Sequence, residues 1–260
     1  MARGTNLTPF CIQTNEEYRV QTGSLITASL EANNTYYGFT WEIPEHIDWR
    51  SKRIVTPVKD QESCSASWAY AAVASLEGQH ALFSETLHDL SEQQLIDCSS
   101  DFGNEGCGPG NANQAFRYIE STGGIDGSDT YPSRHIHLIC HFDRQHVIAK
   151  VLGFVSILND EGVLKDAVAN VGPISVSVDA TSSYFQFYSR GILSNISCNN
   201  DANHALTVVG YGFDNGQDYW LLKNSWGTKW GEAGYLRLAR NKDNLCGVAS
   251  NAGYPLLQTF

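Results

Sequence analysis

Residues 68–76, Trp-Ala-Tyr-Ala-Ala-Val-Ala-Ser-Leu, are apolar on nearly every face of a helix. A helix with this pattern needs packing partners on all sides, so it is expected inside a domain. The chain has 260 residues, which is the upper end of what one hydrophobic core supports. We therefore expect one large domain, or two subdomains that share a cleft.

Other segments predict further helices and a set of strands. The sequence Ser-Glu-Gln-Gln at 91–94 is a capping box that opens a short helix through Asp97, and helices are also expected over about 113–121 and 160–170. Later segments alternate with a period of two, which predicts strands over 174–178, 206–209, 219–222 and 235–238. Helices followed by antiparallel strands indicate an α+β fold.

The chain is acidic, with 17 Lys and Arg against 28 Asp and Glu and a net charge of −11. This balance argues against a nucleic acid or an anionic membrane surface as the main partner. No apolar run has the length of a membrane span, so no membrane insertion is expected. The first twenty residues carry four charges and no apolar stretch, so we predict no signal peptide within this sequence.

Seven cysteines indicate disulfides and therefore an oxidising compartment. No Cys-x-x-Cys pair is present, which makes a zinc site a poor interpretation, and we predict no metal or other cofactor. Asn-x-Ser/Thr sequons at Asn6, Asn33 and Asn195 predict N-glycosylation. Together these features favour a secreted or lysosomal protein.

The most specific motif runs directly into the buried helix as Gln61-Glu-Ser-Cys-Ser-Ala-Ser67-Trp68, and Asn203-His204-Ala205 and Lys223-Asn224-Ser-Trp226-Gly227 stand far downstream. This set resembles the papain family of cysteine peptidases, and the cathepsin L branch most closely. In that family the nucleophile lies in Gln-x-x-Cys-Gly-Ser-Cys-Trp, with His and Asn some 130–150 residues further on. Here the His and Asn follow Ser67 by 137 and 157 residues, and the resemblance extends over 43–257.

The resemblance implies a two-subdomain α+β fold. A helical half, at about 55–150, and an antiparallel, barrel-like β half, at about 151–250, would enclose an active-site cleft. Ser67 would occupy the nucleophile position, His204 would be the base and Asn224 would orient its ring. Gln61 would form the oxyanion hole with the Ser67 N–H. We expect Ser67 Oγ and a ring nitrogen of His204 to lie within hydrogen-bonding reach.

Ser67 is the main departure from the family, whose members have cysteine at that position. A cysteine with a pKa near 8.5 is readily ionised at a helix N-terminus beside a histidine, whereas a serine hydroxyl is not. Asn224 would supply orientation to His204 but no negative charge to stabilise an imidazolium. The sequence therefore predicts very low peptidase activity.

The resemblance also implies a substrate cleft with altered contacts. Gly110 would hold an extended peptide by backbone contact, Trp226 would form a platform over Asn224, and Asn203 precedes the base. The residues that match the wall of the family's main specificity pocket are Asn111, Ala112, Ser177, Ala202 and Asn251. Three of these five are polar, whereas cathepsin L has mainly apolar residues there. We expect the cleft to be retained with altered side chains and to bind a peptide or protein ligand.

The same resemblance implies three disulfides, Cys64–Cys107, Cys98–Cys140 and Cys198–Cys246. Cys11 would be left unpaired or used for a disulfide between chains. Residues 1–42 look like the C-terminal remnant of an inhibitory propeptide, followed by the peptidase domain at 43–260. The arm would be a partner of its own domain, with 34–40 near Gly110 and Trp226.

Four interpretations of function stay open. The preferred one is a peptidase homologue that binds peptides without turning them over. A second is a Ser-His-Asn hydrolase or a silica-condensing protein, because silicateins resemble the cathepsin L branch and carry the same Cys-to-Ser change. The third is an engineered inactive variant of an active endopeptidase, and the fourth is a structural or storage protein that keeps only the fold.

Overall fold

The structure is a computed structural model that describes residues 34–38, 43–198 and 201–257. Its α-helices are α1 (Ser67–Ser84), α2 (Glu92–Cys98), α3 (Ala112–Thr122), α4 (Glu161–Asn170) and α5 (Ser183–Gln186). Short 3-10 helices lie at Trp49–Lys52, Ser100–Phe102, Arg144–His146 and Leu245–Gly247. All four α-helices predicted from the sequence are present. The first continues to Ser84, eight residues beyond the predicted segment, and the ends of the other three differ by about one residue.

Eleven strands are found in the described ranges. The first five are β1 (Asn34–Tyr36), β2 (Ile47–Asp48), β3 (Ile125–Asp126), β4 (Val147–Ala149) and β5 (Val151–Ile157). The others are β6 (Ile174–Val178), β7 (Ile192–Leu193), β8 (His204–Asp214), β9 (Gln217–Lys223), β10 (Tyr235–Ala239) and β11 (Ala252–Leu257). The strands predicted from the period-two pattern form β6, β8, β9 and β10.

One large sheet holds nine of the strands, in the order β1-β5-β11-β6-β8-β9-β10-β7, with β2 paired to β8. Its central pairings are antiparallel, as predicted. The pairings at its two ends, β1 with β5 and β10 with β7, are parallel. Two strands of this sheet, β1 and β2, precede the helices in the chain, so the simple order of helices before strands is wrong.

Two hydrophobic clusters form the interior. One is built around α1, where every residue from Ser67 to Ala81 except Ala74 is buried, and it includes residues of α2 and α3. The other lies against the large sheet and includes Trp220, Trp226 and Trp230. We call the first part the helical half and the second the β half. Residues from both halves meet where α1 packs on β8.

Three disulfides join Cys64 to Cys107, Cys98 to Cys140 and Cys198 to Cys246. This is the pairing that the resemblance implies. The first two lie in the helical half and the third lies in the β half. Cys11 is outside the described residues.

Candidate active site

Ser67 is the first residue of α1 and is buried. The adjacent loop is fixed by the disulfide between Cys64 and Cys107. The Ser67 hydroxyl oxygen accepts a hydrogen bond from the backbone N–H of Ala205 at 3.1 Å. Ala205 belongs to β8, so this bond links the start of the buried helix to the β half next to His204.

His204 and Asn224 come together because β8 and β9 are antiparallel neighbours. His204 Nε2 lies 2.8 Å from Asn224 Oδ1. The N–H of Ser225 donates to the same Asn224 oxygen at 2.8 Å, which identifies that atom as the acceptor. The neutral ring therefore carries its proton on Nε2, because only an N–H can donate to this oxygen.

The other ring nitrogen, His204 Nδ1, is buried and has no hydrogen-bond partner among the described residues. Burial lowers the pKa of His204 to about 4, and the hydrogen bond with Asn224 opposes this only in part. The Trp226 ring lies 4.4 Å from the imidazole, centroid to centroid, and Phe185 lies 6.3 Å away. Aromatic side chains thus enclose a neutral imidazole at pH 7.

The expected hydrogen bond between Ser67 Oγ and His204 is not formed. The hydroxyl oxygen instead accepts the Ala205 N–H, while Nδ1 of the neighbouring histidine has no partner in the described part of the chain. The two side chains are nevertheless joined through adjacent backbone, because Ala205 directly follows His204. A resting ion pair is absent from this site because neither group is ionised at neutral pH.

Gln61 is buried and held on both sides of its amide. Its Oε1 accepts a hydrogen bond from Ser225 Oγ at 2.6 Å, and its Nε2 donates to the Cys64 carbonyl at 2.9 Å. Its backbone N–H donates to the Ser225 carbonyl at 2.8 Å. The side-chain amide is thereby fixed between Ser225 and the loop before Ser67. One of its two N–H groups donates the hydrogen bond to Cys64.

The loop at 108–110 packs against the Trp68 side chain at the start of α1. A Cβ added to Gly110 would lie 2.5 Å from the Trp68 indole, so only glycine fits against that ring. The Trp68 indole N–H donates to the Gly108 carbonyl at 3.2 Å. The loop is therefore held against α1 next to Ser67.

A cavity of about 170 Å³ lies where α3 meets strands β5, β6 and β11. Hydroxyls and amides dominate its wall, and none of its described lining residues is charged. It is lined by Asn111, Ala112, Asn113, Ser156, Ile157, Ser175, Ser177, Ser250, Asn251, Ala252 and Gly253. Four of the five predicted wall residues are in this set, and Ala202 is not.

Two of the predicted contact residues also have structural hydrogen bonds. Asn111 is the N-cap of α3, where its Oδ1 accepts the Asn113 N–H at 2.7 Å. Asn203 Oδ1 accepts the Ala180 N–H at 2.9 Å. The amide oxygen of Asn203 is thus used within the β half.

A buried cluster of charges lies next to Asn224, and the sequence did not predict it. Lys59 Nζ lies 3.1 Å from Glu77 Oε1 and 2.6 Å from Glu92 Oε1. Lys223 Nζ donates to Thr56 Oγ1 at 2.8 Å, and Thr56 in turn donates to Glu77. Burial raises the pKa of Glu92 to about 7, against the attraction of Lys59.

A signal for this cluster is present in the sequence. Glu77 is an isolated acid in a helix that is apolar on nearly every other face, and such a group is rarely buried without a partner of opposite charge. Because Lys223 precedes Asn224 directly, the cluster connects the helical half to the strand end that positions His204.

Other predicted residues lie apart from the site. Asn195 is exposed, between β7 and β8. Asn6 and Asn33 lie outside the described residues. Within residues 34–38, 43–198 and 201–257, no group of three His, Cys, Asp or Glu side chains is arranged to hold a metal ion. None of the helices in those ranges has the length and hydrophobicity of a membrane span.

The family model for papain family cysteine protease matches residues 43–256. The chain belongs to the papain family. Digestive cysteine proteinase 3 of Homarus americanus is 45% identical over 244 residues, which cover 93% of this chain and 76% of that protein. Cathepsin L1 of Drosophila melanogaster is 46% identical, with 87% of this chain and 63% of that protein covered. The chain thus spans less than two thirds of the Drosophila protein.

Solved structures of papain-family proforms are similar to this chain throughout. Digestive procathepsin L 3 of the Tenebrio molitor larval midgut is 40% identical, has a TM-score of 0.90, and covers 99% of this chain and 84% of its own. Digestive procathepsin L2 of the same larval midgut is 38% identical with a TM-score of 0.90, over 96% of this chain and 83% of its own. The α+β architecture described above is therefore the papain-like fold of a cathepsin L-like homologue.

Proposed function

We propose that this protein is a cathepsin L-like homologue that binds peptides in the cleft between its halves and hydrolyses them very slowly or not at all. The observation that carries the proposal is Ser67, which begins α1 and contacts Ala205 where the family motif calls for the nucleophilic cysteine. The position of Ser67 at the start of α1 and the hydrogen bond between His204 and Asn224 support it. The thiol is missing.

Low turnover follows from the protonation of the site. A cysteine peptidase attacks with a thiolate, whose formation is favoured by the helix N-terminus and a protonated histidine. Here the histidine is neutral, and the hydroxyl is too weak an acid to ionise. Attack by Ser67 would require His204 to become charged in a buried site, where Asn224 contributes only an amide dipole.

The polar cavity supports a particular class of peptide. Its wall offers the amides of Asn113 and Asn251 and several serine hydroxyls, with no charge among the lining residues. An apolar side chain placed there would leave buried polar groups without partners, and a charged one would lack a counter-ion. We infer that the cleft binds peptides whose side chain at this position is polar and uncharged.

A second candidate function uses Ser67 as a slow nucleophile. The buried lone pair of His204 Nδ1, which has no partner among the described residues, is what a general base needs. This favours a Ser-His-Asn hydrolase, including one that acts on silicic esters as a silicatein-like protein would. Two further interpretations have their own tests. The genomic codon at position 67 decides whether Ser67 is natural or engineered. A protein with a purely structural role would bind no peptide.

Restoring the thiol tests the preferred proposal. We expect Ser67→Cys to be labelled by an epoxide or vinyl-sulfone inhibitor, because the helix N-terminus favours a thiolate and His204 Nδ1, which has no partner among the described residues, can accept the thiol proton. The unchanged protein and Ser67→Ala should stay unlabelled. If Ser67→Cys folds by thermal melting yet resists labelling, the reactive geometry around residue 67 has been lost and only the fold remains.

Turnover and binding assays separate the two candidates. The preferred proposal predicts peptide binding without turnover, and binding that survives Ser67→Ala. Hydrolysis of a peptide or a silicic ester that disappears in both Ser67→Ala and His204→Ala would establish the second candidate instead. A chain that binds no peptide would support a purely structural or storage role.

We further propose that residues 1–42 are the C-terminal remnant of an inhibitory propeptide. The similarity of the chain to two procathepsins, over nearly its whole length, supports this assignment. A protein without peptidase activity cannot remove its own arm, so the arm should stay attached. The three disulfides and the exposed Asn195 sequon support a secreted or lysosomal glycoprotein.

A further inference from the structure

The described part of the arm, residues 34–38, follows a defined course on the β half. Its strand β1 pairs in parallel with Val155–Ile157 of β5. The N–H of Leu158 donates to the Tyr36 carbonyl at 3.2 Å. The sequence placed 34–40 near Gly110 and Trp226, whereas 34–38 lie along the edge of the large sheet. Residues 39–42 are outside the described residues.

Side chains alternate over residues 35–37, and of these three only Tyr36 points inward. Tyr36 is 8% exposed, whereas its neighbour Tyr37 is 71% exposed and Thr35 is also exposed. The Tyr36 ring meets Tyr254 edge-on at 6.3 Å between centroids and belongs to the core cluster of the β half. A single aromatic side chain thus fills the space between β5 and α4.

The far end of this space recognises a hydroxyl. Tyr36 Oη donates a hydrogen bond to Asp166 Oδ1, and Asp166 is itself a buried residue of α4. Burial and the neighbouring Asp166 carboxylate raise the pKa of the Tyr36 phenol, so it stays a donor at every physiological pH. A phenylalanine would fill the space but would offer no hydrogen bond to the carboxylate.

Gly38, the last described residue of this segment, has a φ of +86°. Residues with side chains rarely adopt this backbone conformation. A Cβ at this position would lie 3.9 Å from Val163 and from Asp166, so the backbone passes close to the helix. The segment Asn-Thr-Tyr-Tyr-Gly therefore combines an extended strand, one anchoring tyrosine and a glycine with a positive φ.

We propose that the groove between β5 and α4 is a docking site for an extended peptide with a central tyrosine, and that it holds the arm segment 34–38 even when the chain is cut between the arm and the domain. Backbone pairing at a sheet edge gives affinity in such complexes, and a side-chain pocket gives specificity. This inference goes beyond the function proposed above and does not depend on the chemistry of Ser67. Ser156 and Ile157 also line the polar cavity, so a retained strand would border the cleft.

The test uses the full chain with a recognition sequence for a site-specific protease inserted within 39–42. The chain is biotinylated at its N-terminus, captured on a sensor surface and cleaved there. Release of the domain is then followed by surface plasmon resonance. The arm of the unchanged sequence is compared with Tyr36→Phe and with the matched control Tyr37→Phe.

We expect the domain to stay bound after cleavage and to leave about tenfold faster or more from the Tyr36→Phe arm, because a hydrogen bond to a charged group is lost. The Tyr37→Phe arm should release it at a rate within about twofold of the unchanged arm. Asp166→Asn should reduce the difference between Tyr36→Phe and the unchanged arm, since both changes affect the same contact. Thermal melts of the uncut variants confirm that each is folded.

Two results would overturn the inference. One is immediate loss of the domain on cleavage of the unchanged arm. The other is equal release from the Tyr36→Phe and Tyr37→Phe arms, which would mean that other parts of the arm hold the domain. The series is also run in a Ser67→Ala background. Release of the domain from the arm does not depend on catalysis by Ser67, so this result can fail or succeed independently of the proposed function.

Discussion

The buried neutral His204 should make the protein less stable in acid. Its pKa in the folded chain is about 4, whereas an ordinary histidine has a pKa of about 6.5. As the pH falls below about 6.5, the unfolded chain binds a proton at this residue and the folded chain does not. This contribution to stability is therefore fully present above pH 6.5 and is lost as the pH falls towards 4.

The size of the effect follows from the two pKa values. Each pH unit between them lowers the free energy of unfolding by about 1.4 kcal/mol, which gives about 2.5 kcal/mol between pH 7 and pH 4.5. Replacing His204 by glutamine removes this proton-binding site and keeps an N–H that can donate to Asn224. The difference in unfolding free energy between the two pH values should therefore shrink by about 2.5 kcal/mol, whatever the cost of the substitution at pH 7.

Urea denaturation at pH 7 and pH 4.5 measures this difference, with His46→Gln at an exposed histidine as the matched control. Nitrogen-15 NMR of the His204 ring should also show a proton on Nε2 and a titration midpoint far below that of an ordinary histidine. An unchanged pH dependence in His204→Gln, or a midpoint at or above 6.5, would refute the neutral-imidazole account. It would also remove one of the two arguments for low turnover, and the weak acidity of the Ser67 hydroxyl would remain.

Three further predictions concern other parts of the chain. Lys59→Met should lower the free energy of unfolding, measured by urea denaturation, by about 3 kcal/mol, because it leaves Glu77 and Glu92 buried without their shared cation. A loss below about 1 kcal/mol would show that the cluster contributes little to stability. Asn195→Gln should remove one glycan mass from protein secreted by eukaryotic cells, and an unchanged mass would exclude a glycan there. Pure protein held at about pH 4–5 should keep residues 1–42 by mass spectrometry. Loss of the arm that is abolished by Ser67→Ala would instead identify Ser67 as a working nucleophile.

Local patterns predicted some elements well and others not at all. The buried helix at 68–76 and the strand at 174–178 follow directly from apolar runs and alternation, and both are present. Strands β5 and β11 were not predicted. Gly153 and Pro255 interrupt their patterns, and both residues sit in strands here because neighbouring strands satisfy the surrounding backbone.

The motif predicted which residues form the site, but not all of the hydrogen bonds between them. His204 and Asn224 are paired as the resemblance implies, and their pairing depends on the antiparallel neighbours β8 and β9. The contact of Ser67 with a backbone N–H, rather than with the imidazole, joins residues 138 positions apart. Sequence spacing does not specify whether the Ser67 hydroxyl forms its hydrogen bond with the Ala205 N–H or with the His204 imidazole.

The bond between the Ser67 hydroxyl and the Ala205 N–H has a consequence for how residue 67 can change over time. A buried backbone N–H that loses its acceptor costs about 1–3 kcal/mol, which is a large part of the stability of an ordinary domain. Alanine at position 67 would remove the acceptor, and a thiol would accept the bond only weakly. A hydroxyl at this position can therefore be maintained by selection for folding alone, even in a lineage where no reaction takes place.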